Sequence, residues 1–298
     1  MSENFLTIEE FLKLFIVGAP PPKSLEETRE RQAAYGLASP LPDNWIAQEI
    51  LLGEIPTLEL SGPESTNKGA LLFFHAGGYS AGTAADHAGL AAHLGKAAGV
   101  KSYAVDYRLA PEHCFPAAIE DAFQAYLNLL EILGKQIPIA LAGDSAGGGI
   151  AIAIAQLCDL RGVRKPVCVY AISPWANMQL DNKSYLVRKN SDPMLSSDAL
   201  QSLRNLYLPK ENFNDPRASP VVGNFVDFPP MLIDVGANEV LLGDALEIAE
   251  LTSMAGNTVS LNIWKDMIHI FPWFYPHLKQ AENAIKIAGS WVKNYFNP

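Results

Sequence analysis

Cysteine is scarce in this chain: Cys114, Cys158 and Cys168 are the only three among 298 residues. They match no metal-ligand spacing, and an odd number of scattered thiols builds no disulfide framework. They read as small buried hydrophobes of a reducing cytoplasm. Long apolar runs are missing as well. The best candidate, residues 11–17, is interrupted by Lys13 and falls far short of the ~20 residues that cross a bilayer. Glu3, Glu9 and Glu10 precede it, where a secretory leader would carry positive charge. The expectation is a cytoplasmic protein without stable membrane insertion. Positive charge is in deficit, with 22 Lys and Arg against 32 Asp and Glu and a net charge of −10. That argues against nucleic acid or an anionic membrane as a partner. There is no internal repeat and no low-complexity tract.

What is present is ordinary globular material. At 49% hydrophobic and 18% charged, the chain has enough length and apolar content for one large α/β unit with a buried core. It opens on a helix start. Thr7 and Glu10 form a capping box, Leu6 and Phe11 stand at the positions of a hydrophobic staple, and Ile8, Phe11, Leu12 and Phe15 make one apolar face. Pro20 to Pro22 stop this helix, and Ser24 with Glu27 opens a second one to about Gly36. Extended segments follow at 46–52 and 57–60, as a hairpin. Strands are expected at 70–74, 100–107, 139–142, 167–172, 231–235 and 259–264. Helices are expected at 86–98, 116–133, 146–160 and 280–295. Continuous apolar strands alternating with helices indicate a mostly parallel sheet covered on both faces. Residues 177–222 are polar and proline-bearing, with one helix at 197–208, and read as an excursion from the sheet.

The segment Gly143-Asp-Ser145-Ala-Gly147 is a G-x-S-x-G motif between an apolar strand and an apolar helix, the context this motif requires. Small residues two positions either side of the serine let the backbones close into a tight turn. The helix start beneath it favours a developing oxyanion. Ser145 therefore reads as the nucleophile of a serine hydrolase. After the 70–74 strand comes His75-Ala-Gly77-Gly78-Tyr-Ser-Ala-Gly82. The main-chain N–H groups of Gly77 and Gly78, with that of Ala146, could form an oxyanion hole, and His75 reads as a loop stabiliser. Of six histidines, His269 follows the last strand and comes last in chain order, as the base of this motif class does.

Together with Tyr107-Arg-Leu-Ala-Pro-Glu-His113, Phe115-Pro-Ala-Ala, Ser173-Pro-Trp and Asp266-Met-Ile-His269, these motifs resemble the bacterial hormone-sensitive-lipase-like (family IV) esterases. That family has the α/β-hydrolase fold. The resemblance runs from about residue 69 to the end. It implies a mostly parallel central sheet flanked by helices in a single 1–298 unit, with a helical cap built from about 1–45 and about 177–222. It also implies no metal or organic cofactor, and short- to medium-chain carboxylic esters as small-molecule substrates. Homodimer formation through the last strand and last helix is a further implication. Two departures stand out. His-Gly-Gly-Gly has become His75-Ala76-Gly77-Gly78, which spares both donor positions. The catalytic-acid position, on the family's Asp-Glu-Val-Leu-Leu pattern, holds Asn238, followed by Glu239-Val240-Leu241-Leu242. Asn can orient a histidine but offers no charge to an imidazolium, a deficit worth about 10⁴ in kcat in serine proteases. Asn238 as third member, Glu239 (then Asp234 or Asp266) as substitute acid, and a disabled hydrolase acting as a small-molecule binder are the readings left open. A lactone or amide hydrolase is the nearest enzymatic alternative. Tyr79, Trp175, Phe271 and Trp273 lie beside the catalytic segments as substrate-pocket candidates. Arg108 with Glu112 and Asp121 reads as structural ion pairing.

Overall fold

The computed structural model describes residues 5–16, 22–275 and 277–296. Eight strands form one sheet in the order β1-β2-β4-β3-β5-β6-β7-β8: β1 (Ile46–Leu52), β2 (Ile55–Ser61), β3 (Thr66–Phe74), β4 (Val100–Val105), β5 (Ile139–Asp144), β6 (Val169–Ile172), β7 (Met231–Gly236) and β8 (Val259–Trp264). The β1–β2 hairpin and the β2–β4 pairing are antiparallel, and the rest are parallel. The expected mostly parallel sheet is present.

The buried stretches of the inner strands are mostly apolar because both faces are covered, and their period of two divides the core. On one face Leu72, Phe74, Tyr103, Leu141 and Ala171 pack beneath α4 (Ala117–Leu133), α5 (Ala146–Leu160) and α8 (Leu242–Met254). On the other, Leu71, Phe73, Ala104, Ala142 and Ile172 pack beneath α3 (Ala88–Ala98) and α9 (Lys279–Asn294). Helix α5 is buried almost all round, which suits a helix rising from the centre of the sheet. Helix α8 falls on a segment for which the pattern predicts no element.

The N-terminal capping box forms: Thr7 Oγ1 accepts the Glu10 N–H, and Glu10 accepts that of Thr7. It opens one α-turn, α1 (Ile8–Phe11), continued as a π-helical turn over Leu12–Ile16. Pro20 and Pro21 of the proposed stop lie outside the described residues. Helix α2 (Leu25–Leu37) is capped by Ser24. Its Arg29 donates to the Ser80 and Ala110 carbonyls and pairs with the Glu112 carboxylate at 2.7 Å. Glu112 thus ties α2 to the sheet-edge loops, whereas Arg108 is held by Asp121 through a fork of hydrogen bonds. In the 177–222 excursion lie α6 (Ser184–Val187) and α7 (Ser197–Tyr207).

Candidate active site

Five loops meet at the C-terminal ends of β3, β5, β6, β7 and β8, where ligands bind in open α/β sheets. Ser145 stands between β5 and α5 with φ 53° and ψ −117°, a conformation that L-residues adopt only when their surroundings impose it. The imposition is visible. The Ser145 N–H donates to the Ile172 carbonyl (2.8 Å), and the Trp175 N–H donates to the Ser145 carbonyl (2.9 Å). A Cβ on Gly147 would stand 1.9 Å from the Phe74 carbonyl oxygen, and one on Gly143 would stand 2.2 Å from that of Gly147. The glycines are there because three backbones converge under the serine.

The loop after β3 supplies the second part. Gly77 has φ +127°, and a side chain there would run into the Ala81 carbonyl, whose own N–H turns back to Gly77 O. Among the described residues no acceptor takes the N–H of Gly77, Gly78 or Ala146. Three unengaged donors near one serine form the arrangement an oxyanion requires. The buried His75 stacks on Tyr107 (4.2 Å between centroids), and its carbonyl accepts the Tyr107 hydroxyl at 2.7 Å. Burial, reinforced by His87 nearby, lowers His75 to about 3. It is a neutral prop of the loop, not a base.

His269 follows β8, and Glu239 follows β7. The Nδ1 of His269 lies 2.8 Å from Glu239 Oε2, with the carboxylate fully buried. The other oxygen, Oε1, accepts Ser173 Oγ–H at 2.7 Å and the Gly236 N–H. Ser173 Oγ in turn accepts the Ile270 N–H (3.1 Å), so its single proton is committed to Glu239. Asn238 does not reach the histidine. It is half-buried and engaged through its backbone, with its N–H on Met267 O (3.4 Å) and its carbonyl accepting Ser191 Oγ–H (3.1 Å). The placement of Asn238 at His269 is thereby corrected. The Glu239 N–H closes a turn onto Gly236 O (3.3 Å), which rotates residue 239 inward and residue 238 outward. Asp234 is committed elsewhere, accepting from Tyr170, Asn262 and Trp264, and Asp266 is exposed.

Ser145, His269, Gly77 and Gly78 open onto one cavity of about 740 Å³, within the range of small-molecule sites. Its floor includes Trp175 and Trp273, and its upper walls come from α2 and from residues 192–206. Two pocket candidates are displaced. Tyr79 is fully buried behind the site, stacked on Tyr207 at 3.9 Å, and Phe271 is buried against Trp264. Neither lines the cavity. Sequence reasoning missed the bonds of Ser173 to Glu239 and Ile270, for which the Ser173-Pro-Trp motif was the available signal. Among the described residues no cluster of three His, Cys, Asp or Glu side chains has metal-binding geometry, and no helix is long and apolar enough to cross a membrane.

Sheet order, strained serine and buried His–carboxylate pair define an α/β-hydrolase. The family model for the alpha/beta hydrolase fold matches residues 71–273, and the chain belongs to that family. Within it, the chain is a hormone-sensitive-lipase-like esterase, as its motifs imply. It resembles an esterase of the bacterial hormone-sensitive lipase family in crystal form, with 30% identity, a TM-score of 0.93, and 97% of this chain and 98% of that one covered. It is likewise similar to EstE5 soaked with p-nitrophenyl butyrate, with 31% identity, a TM-score of 0.91, and 98% and 99% covered. An acetyl-hydrolase of Streptomyces hygroscopicus is 34% identical over 276 residues, spanning 93% of this chain and 90% of that protein.

Proposed function

We propose that the protein is a serine carboxylesterase of short- to medium-chain esters, working through an acyl-enzyme. Ser145 attacks the ester carbonyl while His269 Nε2 takes its proton. The negative oxygen is held by the N–H groups of Gly77, Gly78 and Ala146. Collapse of the intermediate expels the alcohol, which takes the proton from His269, and a water activated by the same histidine frees the acid. Glu239 holds His269 in the tautomer whose Nε2 accepts, and its charge stabilises the imidazolium. The hydrogen bond between Glu239 and His269 carries this reading, because it supplies the carboxylate that an asparagine could not. With a buried carboxylate in place, the weakened-enzyme and pure-binder readings lose their motive.

Helix α2 and the 177–222 excursion act as the cap, since both line the cavity above Ser145. An ester is favoured over a lactone or amide because the similar crystal structure is named an esterase. A cytoplasmic location accords with three free thiols. Pairing of two copies through the open edge strand β8 would account for its half-exposed Ile263. The test is a fluorophosphonate probe with mass spectrometric mapping, run beside hydrolysis of p-nitrophenyl butyrate. Label on Ser145 and loss of both label and turnover in Ser145→Ala are expected. An active protein that remains unlabelled at Ser145 would overturn the assignment.

A further inference from the structure

Asp192 belongs to the excursion and lines the cavity, yet it also grips the turn that bears Glu239. Its Oδ1 accepts the N–H groups of Met194 (2.9 Å) and Leu195 (3.0 Å), winding the chain so that both residues line the cavity. Its Oδ2 accepts the Val240 N–H at 2.9 Å. The preceding residue, Ser191, donates its hydroxyl to the Asn238 carbonyl at 3.1 Å. The backbone on each side of Glu239 is therefore held by two consecutive residues of the excursion. From the sheet side, Glu239 is held by Ser173 and Gly236. An ionised acceptor with three backbone donors is a strong fastening, and here the same carboxylate shapes the cavity wall and steadies the acid turn.

We propose that Asp192 is a positioning residue that couples the seating of the excursion to the orientation of Glu239. With Met194 and Leu195 seated, Val240 is drawn to Asp192 and the Glu239 carboxylate is held on His269. When that wall is displaced, the Val240 N–H loses its acceptor, and the turn is left on its sheet-side bonds alone. Substrate contact with Met194 and Leu195 then acts on the base through one carboxylate. The proposal rests on the reading that Glu239 supports His269.

A double-mutant cycle on p-nitrophenyl butyrate tests it, with kcat, KM and Tm measured for the parent, Asp192→Ala, Asp192→Asn, Glu239→Gln and the double variant Asp192→Ala/Glu239→Gln. Asp192→Ala should lower kcat by roughly ten- to a hundredfold, the scale of a small misplacement of a catalytic group. Asp192→Asn should lose less, since its amide oxygen keeps one accepting atom. In the Glu239→Gln background the Asp192→Ala change should alter kcat by no more than about twofold, because the group it positions is already disabled. An equal fall in both backgrounds, or an effect confined to KM, would overturn the coupling and leave Asp192 as a wall residue. If Glu239→Gln retains the parent kcat, the reading of Glu239 fails and the coupling fails with it. If Glu239→Gln is impaired and Asp192→Ala is not, only the coupling fails. Should Asp192→Ala not fold, Ser191→Ala, which removes the hydroxyl's bonds to the Asn238 and Arg188 carbonyls, runs through the same cycle.

Discussion

Replacing Glu239 by glutamine changes one atom of the side chain, and the structure dictates which way the amide must lie. Both partners of Oε1 are donors: the Gly236 N–H, and Ser173 Oγ–H, whose oxygen is already occupied by the Ile270 N–H. An NH₂ group at that position would face the Gly236 N–H, which can only donate, and could be accepted only by the second lone pair of Ser173 Oγ at the loss of that hydroxyl's own bond. The amide oxygen must therefore take the Oε1 place, and the NH₂ must face His269 Nδ1 at the 2.8 Å that now separates Oε2 from it. A donor there forces Nδ1 to accept, so the ring carries its proton on Nε2, the nitrogen that should receive the serine proton. Wrong tautomer and lost charge together cost about 10⁴ in kcat in the serine proteases, or about 5 kcal/mol. We expect a loss of that order for Glu239→Gln. Asn238→Asp should leave kcat at the parent level, because the His269 Nδ1 is already taken by Glu239. Saturation kinetics on p-nitrophenyl butyrate measure both, with circular dichroism and Tm to confirm that each variant is folded. A Glu239→Gln enzyme within tenfold of the parent, or an Asn238→Asp enzyme clearly faster, would refute the reasoning.

Two further expectations concern the scaffold. Gly147→Ala places a methyl group 1.9 Å from the Phe74 carbonyl oxygen, a clash against backbone that no rotamer relieves. A loss of about 3 kcal/mol or more, read as a fall in Tm with loss of fluorophosphonate labelling, is expected; a variant of parent stability would contradict the close approach. Asp244 is fully buried, and burial raises it from 3.8 to about 6 despite donors on Ala176, Tyr185, Asn182 and Asn177. Since the unfolded chain gives up this proton first, the group lowers stability as pH rises from about 4 to about 6, by about 3 kcal/mol in all. Urea unfolding across that range should show the parent losing stability relative to Asp244→Asn as pH rises; a gap independent of pH would contradict it.

The strands were legible because the buried stretch of each inner strand is largely apolar on both faces, the pattern of a doubly covered sheet. Helix α8 was not, because its residues break the usual order: Leu246 is exposed while Asp244 is buried, bonded to Tyr185 and Asn182. Tyr79 and Phe271 sit close in the chain to Gly78 and His269, yet the backbone turns their rings into packing behind the cavity.

The elbow at Ser145 with its glycines and the glycine-rich loop after β3 could be read from the sequence alone, since a strand-to-helix elbow and a glycine-rich turn are built from consecutive residues. His269 followed from chain order. What only the tertiary structure decided is which neighbour of the pair Asn238-Glu239 faces the histidine. The two residues differ by one step along a turn, and that step is set by bonds from Gly236, Ser173 and Asp192, which come from three separate parts of the chain. Local pattern specifies local shape. The direction of a side chain in a turn depends on what the rest of the molecule packs around it.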